Sequence, residues 1–343
     1  LINDGAGHFS VDLTSLMEPK DKATSPSWGD VNNDGLLDLA IGSWLGSSSD
    51  KVVVYLNEGG GSLEEYLSIP NETVFVPRFA DLNNDRATDL FVVADFGHAR
   101  YMINDGRGIF HHGGVSDVEN GMGIAVGDID NDADLDVFIS SIRDFDGSER
   151  TWGTTGNRLL LNGGAGSFSD VTDEAGVRDG FWGWGSELAD FDNDGDLDLF
   201  HVNGWPSAAE GVPEEFNETP ARLFKNLGGL EFEEVAGMSG AADTGQGRCV
   251  AVFDYDNDGD LDLFLVNNST LTVEEGLVER GPGSLVLLRN DTEPGNRWLN
   301  VSLRGGAGHQ AQGIGSRVFV TLGELIQMRE LTASSGFNGH GTG

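Results

Sequence analysis

Residues 190–198 read DFDNDGDLD, and this acidic nonapeptide decides how the rest of the chain is interpreted. Four other segments align with it without gaps: DVNNDGLLD from Asp30, DLNNDRATD from Asp81, DIDNDADLD from Asp128 and DYDNDGDLD from Asp254. Successive segments begin 51, 47, 62 and 64 residues apart. A repeat of this length is typical of a β-propeller blade, whereas most solenoid repeats are shorter.

The sequence between the acidic segments repeats as well. Apolar runs followed by asparagine and glycine recur as VVVYLNEGGG from Val52, LLLNGGAGSF from Leu159 and RLFKNLGG from Arg222. Asn-Gly and Gly-Gly pairs between apolar runs indicate tight β-hairpins. Each unit therefore predicts four antiparallel strands, with the acidic loop between the first and the second.

The N-terminal stretch LINDGAGHFSVDL matches the last two strands of such a unit. We therefore expect half of a further blade here, with its start upstream, and about seven blades in the intact protein. The predicted fold class is all-β. A propeller of four-stranded blades is expected over residues 1–292, followed by a small β module over residues 293–343.

The acidic loops have the composition of calcium sites, because Ca²⁺ takes about six to eight oxygen ligands from carboxylates, amides and backbone carbonyls. Side chains at loop positions one, three, five and nine offer such oxygens, and the seventh residue offers its carbonyl. The predicted side-chain ligands are Asp30, Asn32, Asp34, Asp38; Asp81, Asn83, Asp85, Asp89; Asp128, Asp130, Asp132, Asp136; Asp190, Asp192, Asp194, Asp198; and Asp254, Asp256, Asp258, Asp262. The predicted carbonyl donors are Leu36, Ala87, Asp134, Asp196 and Asp260. We expect up to five calcium ions, one for each loop.

Two other calcium motifs do not fit. An EF-hand needs a glutamate at position twelve, but that position is Ile41, Val92, Ile139, His201 or Leu265 in the five loops. Calcium-binding β-rolls need a nine-residue period, which is absent. Acidic turns that bind no metal remain the alternative, chiefly for the loop at Asp81.

The five loops are not equivalent in sequence. Gly35, Gly195 and Gly259 stand at position six, where a tight metal loop commonly uses a positive φ, whereas Arg86 and Ala133 lack this freedom. The loop at Asp81 also combines the guanidinium of Arg86 with only three acidic residues, so we expect it to be the weakest site. The loops at Asp190 and Asp254 are expected to be the strongest.

Composition narrows the possible partners. The chain has 57 acidic and 20 basic residues and a formal net charge of −37, so it repels nucleic acid phosphates and anionic lipids. A single cysteine, Cys249, excludes an internal disulfide framework within this sequence. No stretch approaches the roughly 20 apolar residues of a membrane-spanning helix.

These loops and blades resemble the FG-GAP or VCBS repeat family, which includes the integrin α-subunit propeller. The C-terminal segment resembles the ASPIC/UnbV domain in Trp298-Leu299, in GIGSRV from Gly313 and in SSGF from Ser334. In that family a further strand usually follows, so the domain is expected to be incomplete here. The resemblance implies an extracellular, cell-surface or bacterial-envelope protein. The residues themselves predict three strands, in the runs WLNVSL, RVFVTL and IQMRELT.

The connections after each second strand are expected on the face opposite the acidic loops, where loops on a rigid scaffold usually bind partners. Candidates for a patch that contacts a protein or glycan are Trp44, Phe96, Arg143, Arg150, Trp152 and Trp205. The alternative is that these residues only pack their own loops. Trp182 and Trp184 are predicted to be core residues.

The hypothesis favoured by these patterns is a calcium-stabilised extracellular binding or adhesion module. One alternative is a carbohydrate-active enzyme, a lyase or hydrolase, for which His98, Arg100 and Tyr101 could form a general-base cluster. Another is a structural subunit of a surface assembly. Because no HExxH, GxSxG, phosphate-loop or dinucleotide motif is present, we assign no catalytic residue. Glycosylation sequons begin at Asn71, Asn217, Asn268, Asn290 and Asn300.

Overall fold

The computed structural model describes residues 2–3, 6–10, 23–44, 51–70, 73–143, 153–205, 216, 218–268, 271–274, 277–292, 296–306, 313–323 and 325–333. The described chain is 3% helix and 50% strand, and it forms a five-blade propeller with small additional sheets. The predicted all-β class and propeller architecture are confirmed. No helix among these residues is long and apolar enough to cross a membrane.

The strands follow the repeat of the sequence. An N-terminal hairpin consists of β1 (Ile2–Asn3) and β2 (Phe9–Ser10). Blade one consists of β3 (Ala23–Gly29), β4 (Asp38–Ser43), β5 (Lys51–Gly59) and β6 (Ser62–Pro70). Blade two consists of β7 (Thr73–Ala80), β8 (Asp89–Asp95), β9 (Ala99–Asn104) and β10 (Phe110–Ser116). Blade three consists of β11 (Gly123–Gly127), β12 (Asp136–Ser140), β13 (Arg158–Asn162) and β14 (Phe168–Asp170).

Blade four consists of β15 (Gly183–Ala189), β16 (Asp198–Asn203), β17 (Arg222–Asn226) and β18 (Phe232–Glu234). Blade five has three strands, β19 (Gly247–Phe253), β20 (Asp262–Asn267) and β23 (Ser284–Leu288), with the hairpin β21 (Leu271–Glu274) and β22 (Leu277–Arg280) between its last two. One-turn helices follow the outer strands of blades three and four, α1 (Thr172–Ala175) and α2 (Ala236–Ser239). The expectation of four strands per blade is therefore met in blades one to four and not in blade five.

Blades one to four are antiparallel meanders in which sequence neighbours pair, whereas in blade five β20 pairs with β19 and with β23. The first strands of successive blades lie against one another, β3 against β7 and so on to β19, so they form the inner layer. The acidic loops join first to second strands and therefore share one face of the disc. The connections after second strands share the opposite face, as predicted.

The core lies between the blades because the second strands are apolar on both of their faces. Phe91, Phe138 and Phe200 are fully buried on β8, β12 and β16, and they pack into clusters that extend across neighbouring sheets. Such strands bury both faces when sheet packs on sheet. Trp182 and Trp184 are buried in the largest of these clusters, which confirms their predicted core position.

The C-terminal module contains one described hairpin, β24 (Arg317–Leu322) with β25 (Leu325–Glu330). These strands match the predicted runs RVFVTL and IQMRELT. The prediction of a strand at WLNVSL is wrong, because residues 296–306 have no regular secondary structure. Trp298 and Leu299 are exposed there, and the strand alternation of this run is not used in a sheet.

Candidate calcium site and contact face

The five acidic loops share one backbone conformation. Position four is left-handed in all of them, with φ of 59° at Asn33, 62° at Asn84, 60° at Asn131, 58° at Asn193 and 62° at Asn257. Asparagine tolerates this region better than most residues, which explains why it recurs there. Position six also has a positive φ, including 70° at Arg86 and 73° at Ala133. The expectation that only the glycine-bearing loops use this conformation is wrong, because these two residues adopt it at a steric cost.

Carboxylates at the start of each loop hold its turn together. In the fourth loop Asp190 accepts hydrogen bonds from the backbone N–H of Asp194, at 3.0 Å, and of Gly195, at 2.9 Å. The Asp194 carboxylate in turn accepts the N–H of Asp196 at 3.0 Å. The same bonds recur in the other four loops. The turn therefore directs the oxygens at positions one, three and five toward one centre.

Position nine joins this turn to the rest of the blade. Asp198 is buried at the start of β16, where its Oδ2 accepts the N–H of Phe191 at 3.0 Å and its Oδ1 accepts the N–H of Asn226 at 2.8 Å. Equivalent pairs of bonds are made by Asp38, Asp89, Asp136 and Asp262. In every blade the donor to Oδ1 is the backbone N–H of an asparagine that lies on the third strand or just after it. We call this set the clasp asparagines: Asn57, Asn104, Asn162, Asn226 and Asn290.

Four clasp asparagines also bond to the preceding blade. The Nδ2 of Asn226 donates to the carbonyl of Leu197 in its own loop and to that of Ile129 in loop three, both at 3.1 Å. Interblade bonds of the same kind run from Asn104 to Val31 O at 2.7 Å, from Asn162 to Leu82 O at 2.7 Å and from Asn290 to Phe191 O at 2.6 Å. Each acceptor is the residue at position two of the preceding loop. In the sequence these asparagines indicate only hairpins, and Asn290 also begins a sequon.

A second interblade link starts from position four. The Nδ2 of Asn131 donates to Asp196 Oδ1 at 2.6 Å, that of Asn193 donates to Asp260 Oδ1 at 2.9 Å, and Asn84 bonds to Asp134 in the same way. The acceptors are the position-seven aspartates, which were predicted to contribute only their carbonyls. Loop two has Ala87 at position seven, which offers no carboxylate. Asn33, at position four of loop one, donates instead to the Gly106 carbonyl of blade two at 3.1 Å.

The loops hold several carboxylates close together and partly remove them from water, which disfavours their charged form. Ligand oxygens from three aspartates lie within 4.8 Å of one another in loop three (Asp128, Asp130, Asp136), loop four (Asp190, Asp192, Asp194) and loop five (Asp254, Asp256, Asp262). Burial, with added repulsion from neighbouring carboxylates, raises the pKa of Asp136 to about 8 and that of Asp89 and Asp198 to about 7. The same causes raise the pKa of Asp38, Asp128 and Asp190 to about 6. A cation bound among these groups would remove that penalty.

Basic side chains of the protein already contact three of the loops. Lys225 forms an ion pair with Asp192 in loop four, and the Arg289 guanidinium lies 3.8 Å from Asp256 in loop five. Arg317 lies 3.6 Å from Asp81 in loop two. Within the described ranges, loops one and three form no ion pair with a basic side chain, but the half-buried Arg329 guanidinium attracts Asp190 of loop four and Asp128 of loop three.

The C-terminal hairpin lies on the loop face. Arg317 donates to the Asp81 carbonyl and to Asn84 of loop two, while Gln327 Nε2 donates to the Gly195 carbonyl of loop four at 3.0 Å. Met328 is fully buried in the largest core cluster. Gly195 has a φ of 103°, and a Cβ there would lie 2.4 Å from Gln327 Nε2, so only glycine allows this approach. The hairpin thus bridges blades two and four, and the C-terminal module contacts the propeller through it.

The opposite face carries a stack of aromatic rings. Trp205 stacks on Trp182 and Trp184, with ring centroids 5.0 and 5.7 Å apart, and Trp44 stacks on Phe75 at 5.1 Å. The Arg248 guanidinium lies 4.1 Å from the Trp184 ring centroid, and burial lowers the pKa of Arg248 to about 9. Much of this aromatic surface is used to pack neighbouring blades.

The predicted contact residues fall into different environments. Trp44 and Trp205 are half-buried in the stack, and Trp44 Nε1 donates to Asp95 at 2.9 Å. Phe96 is 67% exposed at the β8–β9 turn and has a φ of 55°, a rare conformation for an aromatic residue. Arg143 is half-buried just after β12. Arg150 and Trp152 lie outside the described residues.

Two of the predicted general-base residues, His98 and Tyr101, lie in different environments. His98 is exposed and lies 3.7 Å from Asp117, whereas the Tyr101 ring packs against Phe91 and Phe168 in the interblade core. His201, by contrast, is fully buried between Phe138 and Phe224, and burial lowers its pKa to about 3. Its Nε2 lies 3.4 Å from the amide nitrogen of Asn157, and the two aromatic neighbours of the ring indicate a packing role.

Comparison with known proteins identifies the repeat. The model of the FG-GAP-like repeat matches residues 81–139 and 144–201. Cartilage acidic protein 1 of Xenopus tropicalis is 31% identical over 158 residues, which cover 45% of this chain and 21% of that protein. The human protein of the same name is 29% identical over 165 residues, covering 47% of this chain and 21% of its own length. The chain thus spans about a fifth of the length of the curated relatives it matches.

Solved structures give weaker likenesses. The crystal structure of the V. cholerae biofilm matrix protein Bap1 aligns with a TM-score of 0.44 at 14% identity, over 81% of this chain and 41% of that one. A putative exo-β-1,3-galactanase from Bifidobacterium bifidum aligns with a TM-score of 0.39 at 11% identity, over 79% of this chain and 92% of that one. Likenesses of this size carry no argument about function. The sequence match and the blades together show that this chain contains FG-GAP-like repeats folded as a β-propeller.

Proposed function

We propose that the protein is a calcium-stabilised extracellular binding module that contacts a protein or glycan through the face opposite its acidic loops. The observation that carries the calcium part is the loop geometry, repeated five times with one backbone conformation and one set of hydrogen bonds. The oxygens at positions one, three, five and nine, with the carbonyl at seven, form the ligand set that calcium prefers. Bound calcium would supply positive charge and cross-link the loop, with no catalytic role.

The electrostatics of the loops support a bound cation. Buried carboxylates with raised pKa values, such as Asp136 and Asp198, are costly as anions. A divalent ion offsets repulsion that the loop's own hydrogen bonds do not remove. In extracellular fluid, sites of about 10⁻⁴ M affinity at about 1 mM calcium would each stabilise the fold by roughly 1.4 kcal/mol.

The contacts change the expected order of affinity. Five aspartates together with glycine at position six favour loops four and five, but Lys225 and Arg289 contact their position-three aspartates. Loop three has the same number of aspartates, and Leu161 stands where those basic residues stand. We therefore rank loop three first, while loop two, with Arg86 at position six and Arg317 beside Asp81, stays last.

The extracellular setting and the contact face rest on separate support. Relatives that match nearly half of the chain are named for cartilage, and the family resemblance is to extracellular and surface proteins. The C-terminal hairpin covers part of the loop face, which leaves the opposite face for a partner. Phe96 is the best single candidate there because it is exposed and held in an unusual backbone conformation.

Calcium binding is tested on the full chain by titration calorimetry and thermal unfolding, with and without a chelator. Chelation is expected to lower the melting temperature substantially. Asp132→Asn in loop three should remove one bound ion, and the matched Asp85→Asn in loop two should change the stoichiometry little. If chelator leaves the melting temperature unchanged and calorimetry detects no calcium binding, the proposed role of calcium is wrong.

The contact face is tested by binding to a glycan array and to a panel of extracellular matrix proteins. Phe96→Ala is expected to weaken a hit at least tenfold. Leu227→Ala is the matched control, because Leu227 is also exposed but lies on a β17–β18 turn of the loop face. Equal loss in both variants would place the contact elsewhere, and the absence of any binding would reject a binding module.

A further inference from the structure

Arg248 occupies a position at which the other four blades have no charged residue. It lies six residues before the first aspartate of loop five, near the start of β19 on the face opposite the acidic loops. The equivalent residues in blades one to four are Thr24, Phe75, Met122 and Trp184. The pairing of β19 with β20 shifts between Gly247 and Cys249, so Arg248 is the extra residue of a β-bulge. Bulges commonly redirect a side chain next to a functional site.

Indole rings and backbone carbonyls hold the Arg248 guanidinium in place. It lies 4.1 Å from the ring centroid of Trp184 and 5.3 Å from that of Trp205. Its Nη1 donates to the carbonyls of Gly204, at 2.8 Å, and Gly247, at 2.6 Å. The described residues offer no acceptor to Nε or Nη2, and neither atom is sealed from solvent. One edge of a fixed guanidinium is therefore available to a ligand, which reduces the entropy that binding must cost.

No carboxylate neutralises Arg248 among the residues that the structure describes. Other buried or half-buried arginines form ion pairs: Arg158 with Asp170 and Arg222 with Glu234 at 3.3 Å each, and Arg317 with Glu330 at 2.9 Å. Burial lowers the pKa of Arg248 to about 9, and no acidic neighbour opposes this effect. A charge that is partly removed from water without a counter-ion is costly, and an anion brought by a partner would remove that cost.

We propose that Arg248 binds a carboxylate of the partner, namely an aspartate or glutamate side chain on a protein loop. The inference rests on the proposed function, because it names the anchor of the face that contacts the partner. The Nε–H and Nη2–H groups of a guanidinium match the two oxygens of a carboxylate in a bidentate pair. Arginine and tryptophan are also the residue types that most often carry the binding energy of an interface.

The site favours an acidic protein loop over an acidic glycan for two reasons. A uronate polymer brings a negative charge with each acidic sugar, and a chain of net charge −37 repels such a polymer. A sugar ring also needs an open aromatic face, whereas Trp205 already stacks on Trp182 and Trp184, and Arg248 lies over Trp184. A protein loop can place one carboxylate at Arg248 and surround it with neutral or basic residues.

The Nε–H resonance of Arg248 tests the proposal in NMR spectra of the unmodified full chain at saturating calcium. The probe is N-acetyl-aspartate N-methylamide, and its uncharged control is N-acetyl-asparagine N-methylamide. The aspartate probe is expected to shift this resonance saturably, whereas the asparagine probe should leave it unchanged. Methyl α-galacturonoside represents the acidic glycan. A larger response to the uronate than to the aspartate probe at equal concentration, or no response to either, would overturn the proposal.

Two variants check the assignment through the indole Nε1–H resonance of Trp205. Arg248→Gln is expected to weaken binding of the aspartate probe at least tenfold. Arg222→Gln is the matched control and should bind it like the wild type, because Arg222 also lies over a ring, 4.4 Å from the Phe181 centroid, but is paired with Glu234. Equal loss in both would contradict the proposal, and if Arg248→Gln does not fold, the titration of the unmodified chain decides. A matrix protein that still binds folded Arg248→Gln at full affinity would reject this site and leave the binding module intact.

Discussion

Replacing one clasp asparagine by alanine should lower the free energy of unfolding more than the loss of such a small side chain suggests. The buried amide of Asn226 donates to Ile129 O and Leu197 O at 3.1 Å each, and its Oδ1 accepts the N–H of Gly228 at 3.0 Å. Asn226→Ala leaves two buried carbonyls without this donor, and each loss costs about 1–2 kcal/mol. We expect the free energy of unfolding to fall by about 3 kcal/mol.

Asn57→Ala is the matched control. Asn57 bonds to its own loop, to Leu37 O at 3.0 Å, and accepts the N–H of Gly59 at 3.0 Å, but it has no partner in a preceding blade among the described residues. It is also less buried. Its replacement should cost about 1 kcal/mol. Urea unfolding of both variants at saturating calcium measures the difference, and an equal loss in the two would refute the idea that interblade bonds stabilise the ring.

Two further changes test other parts of the structure. Arg317→Met removes the partner of the nearly buried Glu330, 2.9 Å away, and the bonds to loop two, so amide exchange across β24 and β25 should rise at least tenfold; unchanged exchange would show that the hairpin is held elsewhere. His201 has a pKa near 3 when folded and about 6.5 when unfolded, so its contribution to stability is complete above pH 6.5 and falls by about 2 kcal/mol at pH 5, as the unfolded chain gains a proton. His201→Gln should remove that part of the pH dependence between urea midpoints at pH 7 and pH 5, and identical pH dependence in both proteins would contradict the assignment.

The repeating parts of the fold could be predicted because each residue there has a local reason to recur. The aspartates at Asp190, Asp192 and Asp194 point to an oxygen-rich loop, and the apolar run after Asp198 points to a buried strand. Because this pattern occurs five times, it favours a propeller over an isolated acidic turn. Strand alternation alone was a weaker guide, as the run at WLNVSL shows.

The interblade bonds could not be predicted, since they depend on which loop lies beside which hairpin in space. Asn226 and Ile129 are 97 residues apart, and no local propensity relates them. A signal was nevertheless present, because asparagine recurs at one position of every hairpin where glycine alone would suffice for the turn. The same limit applies to Arg86 and Ala133, whose positive φ accompanies the hydrogen bonds from their N–H groups to Asp81 and Asp128.

The order of affinity that we propose for the calcium loops differs from the one predicted from sequence for a related reason. A count of aspartates within nine residues does not include Lys225, on the third strand of blade four, or Arg289, which directly follows the third strand of blade five. Such a count also omits Arg317, which bonds to Asp81 although the two residues are more than 230 positions apart in the chain. Local charge is therefore an incomplete measure of affinity when strands of the same blade carry opposite charges.

The position of the C-terminal hairpin has a mechanical consequence. Because β24 and β25 bond to loops two and four, tension applied through the residues after Glu330 would be divided between two non-adjacent blades. Such a force would shear several hydrogen bonds at once instead of peeling one strand from one sheet. A protein that links a surface to its surroundings would gain resistance to detachment from this arrangement, at a site away from the face proposed to bind the partner.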